Sequence, residues 1–447
     1  MTRALFLIIA FGIISRICIF AFSPPTNAYD DHLEAVSRTV VAIETNKRVR
    51  PWDCWQCYQP PLYYWTSSGV VSIASTVLSD VGSWKSVQAL SLLASVGTLL
   101  LTALALTIVL PRPEQLPAVY ASAAMMSIMP RAIYSSAMAT NDAFLECVVA
   151  IALVGYLLLG RGEKRARLGM LLVSLGTVAA CWTKQSGLVL LVPLTGLLVA
   201  TLAGVWRPPA QLTRTTIVVA SSVTLALASL DELWRFSQSE IFLVSNQHFF
   251  DYAINQAPGS VSRINFFDFR FIELLQDVFM GPTTIDSFWT ELAARFWFDY
   301  ERRFFPINAY SLSVGRVIYL AAAPLTLYAL YFYMVGLTMR PHDFKRLTLF
   351  LFSAAFFAAP ILQTLRLPYY SSMKAAFVLP GLPAILCLVA LGAATSLTTR
   401  TGRYATWGVV ACSVLVGLLH IISQAGLSND AWNHGLSGPL WPLPPLP

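Results

Sequence analysis

Stretches of about 20 apolar residues, the length that crosses a bilayer as one helix, recur from one end of this 447-residue chain to the other. They lie near 4–22, 86–110, 117–134, 141–160, 167–182 and 186–205, and then near 213–233, 313–338, 347–365, 373–396 and 404–422. No water-soluble core absorbs so many. Charged residues are 12% of the chain, about half the roughly 25% of a soluble domain. The expected class is therefore an all-α polytopic membrane protein of about eleven transmembrane helices. Arg3 and the run Ala4–Phe22 have the look of a secretory leader, but Pro24-Pro25 follows with no small-x-small cleavage site. A retained first span is expected.

One further stretch, 60–79, is ambiguous, because it opens on Pro60-Pro61 and a run of aromatics. Loop charge decides it. Short cytoplasmic loops carry the Lys and Arg of a membrane protein, and the basic loops here are Arg112, Arg161–Arg167, Arg207–Arg214, Arg340–Arg346 and Arg400–Arg403. If 60–79 lies at the interface, all five fall on the cytoplasmic side with the N-terminus. If it crosses, all five face outward. The interfacial reading is adopted, which leaves two long hydrophilic stretches outside, 23–59 and 234–312. The expected division is a first membrane module (1–233, with its outer loop 23–85), an outer region (234–312) and C-terminal spans with a Pro-rich tail (313–447). The formal charge of +7 fits basic cytoplasmic loops and handling of anionic lipids or phosphates; nucleic acid is not expected as a partner. No internal repeat is visible, unlike the inverted halves of many transporters.

The first outer loop is rich in groups that do chemistry. It begins Tyr29-Asp30-Asp31-His32-Leu33-Glu34 and continues through Arg48 and Arg50 into Pro51-Trp52-Asp53-Cys54-Trp55-Gln56-Cys57-Tyr58-Gln59-Pro60-Pro61-Leu62-Tyr63-Tyr64-Trp65. Sugar transfer needs a carboxylate to take the acceptor's proton and positive charge beside the leaving phosphate. Aromatic side chains suit sugars and prenyl chains, since they join an apolar face to a polar edge. The same residues also fit a helix cap at a membrane exit beside an interfacial aromatic belt, and the loop alone leaves both open.

In its order of features the chain resembles the GT-C superfamily of membrane glycosyltransferases, especially protein O-mannosyltransferases and lipid A aminoarabinose transferases. The resemblance places an acidic pair just after the first span, implying Asp30 as catalytic base and Asp31 as its neighbour, and making 1–233 the catalytic module. It also implies a Pro-containing juxtamembrane helix, matched by Gln59-Pro60-Pro61-Leu62-Tyr63-Tyr64-Trp65. Thr140-Asn141-Asp142 matches an aspartate facing the outer cavity, although the three residues also read as a helix N-cap. Trp182-Thr183-Lys184 matches a Thr-Lys at the outer membrane edge, where a lysine meets a lipid phosphate as a point charge or snorkels to ordinary headgroups. The aminoarabinose transferases carry an acidic residue and a lysine at the position of Gln59-Pro60. Neither charge is present here, so a metal or phosphate contact built on them does not carry over; a divalent metal stays an open expectation.

Arg366-Leu367-Pro368-Tyr369-Tyr370-Ser371-Ser372-Met373-Lys374 is a basic outer loop, against the positive-inside tendency, and Lys374 and Arg366 are candidate phosphate ligands. Arg302, after Trp297-Phe298-Asp299-Tyr300-Glu301, is another, or else it pairs with its acidic neighbours. Tyr58, Gln59, Tyr63 and Tyr64 complete the candidate substrate site. Cys54 and Cys57 are expected as a disulfide or free thiols; zinc would need two more ligands, with His32 and His248 the nearby imidazoles. The other five cysteines read as packing residues.

The function expected is inverting transfer from a polyprenyl-phosphate-linked sugar to a lipid, glycan or protein acceptor. Asp30 is the base, with Asp31 or Asp142 in reserve. The expected location is the bacterial inner membrane, with the site facing the periplasm. The rival is a lipid-linked-sugar flippase or secondary transporter, which should carry acids at mid-membrane. The spans read as almost free of such charge.

Overall fold

The computed structural model describes residues 2–26, 32–160, 165–206, 212–250, 268–281, 284, 287–338, 344–366 and 373–433, without the side chains of Gln247 and 426–433. Among these the chain is helical with no β-strand. Ten helices are long and apolar enough to cross a membrane. They include α1 (Arg3–Phe22), α4 (Asp80–Val109), α7 (Asn141–Leu159), α8 (Ala166–Thr183), α10 (Arg214–Ser239), α13 (Ala309–Thr338), α14 (Phe344–Arg366) and α16 (Arg400–Asn433). The short helices α9 (Leu191–Leu202) and α15 (Leu382–Ser396) reach spanning length with the 3₁₀ turns before them. The chain is an integral membrane protein.

The expected span 117–134 is present but broken in two, α5 (Leu116–Ile128) and α6 (Pro130–Ser136). Pro130 has no N–H to give to the carbonyl four residues back, which belongs to Met126. Arg16 of α1, fully buried, makes good the loss. Its guanidinium donates to Met126 O (3.2 Å), Ser127 O (2.9 Å), Gly12 O (3.0 Å) and Ser95 Oγ (2.8 Å). A charge at this depth survives because four acceptors replace water.

The first outer loop folds into α2 (His32–Glu44) and α3 (Leu62–Ala74). At 13 residues, α3 is about 20 Å long, short of a roughly 30 Å hydrocarbon core, so it does not span, as loop charge required. Leu33, Val36, Tyr63, Tyr64, Trp84 and Val87 form a separate small core joining α2, α3 and the outer end of α4. The 30 residues of α4 make about 45 Å, enough to reach past the bilayer and carry Trp84 there. Lys85 of α4 caps the end of α1 through Phe20 O (2.6 Å) and Ser23 O (2.5 Å).

The second outer region docks onto this frame through α11 (Phe271–Gln276) and α12 (Phe288–Trp297). Tyr134 of α6 stacks on Phe304, with centroids 4.4 Å apart, and its hydroxyl meets His420 Nδ1 at 2.6 Å. His420 Nε2 bonds Trp297 O at 3.2 Å. Since a carbonyl only accepts, Nε2 carries the proton and Nδ1 accepts from the tyrosine.

α7 and α8 run antiparallel and very close. A Cβ on Gly155 would stand 2.6 Å from Val173 N, and one on Gly176 2.6 Å from Ala152 N. Small residues bring two membrane helices to such a distance. The consequence is that the first turn of α7 and the last turn of α8 meet side by side. At the opposite end, Gly160 lies against Lys345, and Trp206 stacks on Phe344 at 4.8 Å. The described residues that border three of the basic loops thus lie together, away from the Asp142 and Lys184 ends of α7 and α8.

Candidate active site

Thr140 caps α7, its hydroxyl accepting from Asp142 N–H at 3.3 Å. That puts the Asp142 carboxylate in the first helical turn, where the helix dipole favours an anion. Lys184 is the residue that ends α8, where the dipole favours a cation. The two form a buried ion pair; Asp142 is 2% exposed and Lys184 8%. The Thr140 hydroxyl lies 3.3 Å from the Asp142 carboxylate, and Asn141 donates to Thr183 O at 3.4 Å. Lys184 Nζ also sits 5.4 Å from the centre of the Phe377 ring. Phe377 belongs to a short turn that begins after Lys374, so two of the predicted phosphate cations flank one segment.

The first outer loop closes over this pair. His32, the first residue after Asp31, is 2% exposed. Its Nδ1 lies 2.9 Å from the Tyr64 hydroxyl, and its ring stacks on Tyr64 with centroids 5.9 Å apart. Tyr63 packs edge-on to Phe144 of α7 at 6.2 Å, and burial pushes its hydroxyl well above the ordinary tyrosine range. Gln59 accepts from Gln185 N–H at 3.5 Å and donates to the Tyr58 hydroxyl at 2.7 Å. Cys54 and Cys57 form a disulfide, with Cα atoms 5.0 Å apart, directly before this pair. His32, Gln59, Tyr63, Tyr64, Asp142 and Lys184 therefore gather at one place. Asp30 and Asp31 lie outside the described residues.

Behind Lys184 and Asp142 runs a chain of buried charge. Arg131 follows Pro130 at the helix break and stands within electrostatic reach of Asp142. Its Nη1 pairs with Glu301 at 3.0 Å, Glu301 pairs with Arg295 at 2.9 Å, and Arg295 with Glu291 at 2.8 Å. Burial alone would raise the Glu301 carboxyl, but Arg295 and Arg131, with Lys374 and Arg303 beyond them, hold it below the usual carboxylate range. Burial pushes Glu291 up to about 7 despite Arg295. It also pushes Asp299 up to about 7, against the N–H groups of Arg303 (2.8 Å) and Phe305 (2.7 Å) that favour the ion. Asp299 thereby holds the turn that aims Glu301 at Arg131. Arg302 stands on that turn in left-handed backbone, φ 59°; Glu301 pairs with Arg131 and Arg295 rather than with Arg302. Arg366 is exposed at the end of α14, and 367–372 lie outside the described residues.

Arg16, Arg131 and Glu146 correct the reading that the spans are almost free of charge. Glu146 lies one turn below Asp142 on α7, is 1% exposed, and finds no hydrogen-bond partner for either oxygen among the described residues. Poverty of buried charge thus no longer separates an enzyme from a transporter. A charged residue within an apolar run is a functional flag in itself, and that signal was present at all three positions. Among the described residues no three His, Cys, Asp or Glu side chains converge as metal ligands.

No protein-family profile matches the chain, and no curated protein matches it. Solved structures do. The apo oligosaccharyltransferase of Archaeoglobus fulgidus matches with a TM-score of 0.55 and 14% identity, covering 97% of this chain and 56% of that one. The same organism's AglB, in complex with an inhibitory peptide and a dolichol-phosphate, matches at 0.50 and 13% identity, over 97% and 56%. ArnT from Cupriavidus metallidurans matches at 0.40 and 16% identity, over 88% of this chain and 78% of that one. The fold is thus GT-C-like, as the resemblance implied. The chain spans little more than half the length of the oligosaccharyltransferase.

Proposed function

We propose that this protein is a membrane glycosyltransferase that moves a sugar from a polyprenyl-phosphate carrier to an acceptor on the non-cytoplasmic face. The observation that carries the reading is the buried Asp142–Lys184 pair, roofed by the loop that begins with Asp30-Asp31 and opposite the face that gathers basic loops. A neighbour of the same fold is an oligosaccharyltransferase captured with a dolichol-phosphate, which agrees with a lipid-phosphate donor.

The reaction is inverting. The acceptor oxygen attacks the anomeric carbon, the bond from that carbon to the phosphate oxygen breaks, and the phosphate departs with the electron pair. Asp30 takes the acceptor proton. Asp142 is the poorer base, because its carboxylate is committed to Lys184 and the Thr140 hydroxyl. Its role is to hold Lys184, which with Lys374 offsets the charge growing on the phosphate. The acceptor is a lipid, glycan or protein, and the setting is a bacterial plasma membrane with the site outward.

The test is turnover in nanodiscs with radiolabelled polyprenyl-phosphate sugars and a membrane extract as acceptor source. Asp30→Asn, still folded and still binding donor, should lose about 10²- to 10⁴-fold in rate, the usual worth of a positioned base. Full activity in that variant removes Asp30 as base. No transfer by the wild type with any donor, together with donor movement across the bilayer, would favour a transporter instead.

A further inference from the structure

A crevice lies between the first outer loop and the C-terminal turns of α10, with Gln59 and Tyr64 in its wall. The end of α2 builds its rim. Asn46 adopts left-handed backbone, φ 51°, and Lys47 N–H returns to Ala42 O at 2.7 Å. This is a common way to reverse a chain after a helix, and here it delivers Lys47 and Arg48 to the opening. Arg48 lies flat on Trp234, 3.5 Å from the ring centre, and pairs with Asp231. Arg235 pairs with Asp231 (2.9 Å) and donates to Glu232 (2.6 Å) and Tyr58 O (2.7 Å). Three cations thus face two carboxylates. The surplus sits outermost, on exposed Lys47 and on Arg48, whose side chain is 32% exposed.

Size and surroundings narrow the ligand. The crevice holds about 30 Å³, room for about two water-sized atoms. That suits a small anionic group better than a pyranose ring, and the Trp234 face on which a sugar would stack is taken by Arg48. Apolar side chains stand exposed beside it on two elements, Ile43 on α2 (54%) and Leu230 on α10 (48%). Trp65 and Trp234 line it, and tryptophan favours the level of lipid headgroups. A cationic notch flanked by lipid-facing apolar residues matches one chemistry. We propose that the crevice binds the phosphate of an anionic bilayer lipid, its oxygens on Lys47 and Arg48 and an acyl chain along Ile43 and Leu230. The lipid then braces the wall formed by Gln59 and Tyr64, which hold Gln185 and His32 from the other side. The site stands whether or not the chain transfers a sugar.

Native mass spectrometry of the full chain, released from nanodiscs of phosphatidylglycerol or of phosphatidylcholine, tests this. The wild type should retain one phosphatidylglycerol per chain and little phosphatidylcholine. Lys47→Glu, and Arg48→Lys, which keeps a charge for Asp231 but loses the planar fork, should each lower occupancy roughly five- to tenfold. Lys47 is exposed, so Lys47→Glu should melt as the wild type does, which separates lost binding from misfolding. Unchanged occupancy in both variants overturns the proposal. So does equal retention of the two lipids, displacement by inorganic phosphate (a general anion site), or replacement by undecaprenyl phosphate at equal occupancy (a donor site).

Discussion

Lys184→Met leaves the Asp142 carboxylate buried, 2% exposed, without its ion-pair partner; among the described residues the Thr140 hydroxyl, its own helix terminus and the more distant charges of Arg131 and His32 remain to it. Stranding one member of a buried ion pair costs about 3–5 kcal/mol, and a retained hydroxyl contact returns about 1 kcal/mol. The expected loss is therefore about 2–4 kcal/mol. Asp142→Asn should cost less, because Lys184 keeps the Phe377 face at 5.4 Å and stands at the membrane edge, where a lysine extends toward headgroups. The double variant strands nothing. It should be more stable than the sum of the singles by about 2 kcal/mol, well beyond the roughly 0.5 kcal/mol within which independent sites add. Unfolding of the four proteins in detergent, by heat or by graded denaturing detergent, gives the cycle. Activity gives a second axis: the double variant should regain stability and still fail to turn over donor, because the cation for the phosphate is gone. Additive stabilities would refute the buried pair. An active double variant would refute the role assigned to Lys184.

Asp299 and Glu291 are pushed up to about 7, so the folded protein holds protons there that the unfolded chain has released. Between about pH 5 and about pH 8 that sign makes stability fall as pH rises; Asp299→Asn should flatten the slope of melting temperature against pH. Glu301 runs the other way, since its depressed carboxyl contributes stability that is lost only as pH falls below the ordinary glutamate range. Replacing both Cys54 and Cys57 by serine opens a very short loop, worth about 2 kcal/mol by chain entropy. The loss should appear in melting and be matched by reductant on the wild type. Gly155→Val drives a side chain into the α8 backbone, 2.6 Å from Val173 N. It should cost at least about 1–3 kcal/mol and separate Asp142 from Lys184, lowering turnover together with stability.

Hydropathy and loop charge were enough to place the membrane helices and to keep α3 out of the bilayer, because both depend on local composition. The C-x-x-C on the first loop left disulfide and free thiols both open, and the structure closes the disulfide. What stayed hidden depends on partners far apart in sequence. Pro130 was visible, but nothing local says that Arg16, more than 100 residues earlier, makes good the hydrogen bond it removes. Arg131 stood flagged only by its place in an apolar run, and nothing local pointed to Glu301, 170 positions away. Arg302 was the basic residue weighed as a partner for its acidic neighbours, and Arg295 takes that place at Glu301. The left-handed turn at Arg302 and the i, i+4 spacing of Glu291 and Arg295 on α12 select the second.

These hidden contacts share one physical role. Each joins an outer loop, or a broken helix end, to the bundle with paired charge where backbone or side chain would otherwise lie unsatisfied in hydrocarbon. Arg16 mends α5 and α6, Arg131 carries the mended break to Glu301, and Glu301 reaches α12 through Arg295. The same Arg131 lies within the field of Asp142, which holds Lys184. The described part of the second outer region is thus tied electrostatically to the first turn of α7. A change at Glu301 should therefore be felt at Lys184 without touching it: Glu301→Gln frees Arg131 to compete for Asp142, loosening Lys184 toward the phosphate. Donor affinity should rise while stability falls, a split that damage to the fold alone would not produce. Equal loss of both would show that the outer region is only a lid on the bundle and not part of the site.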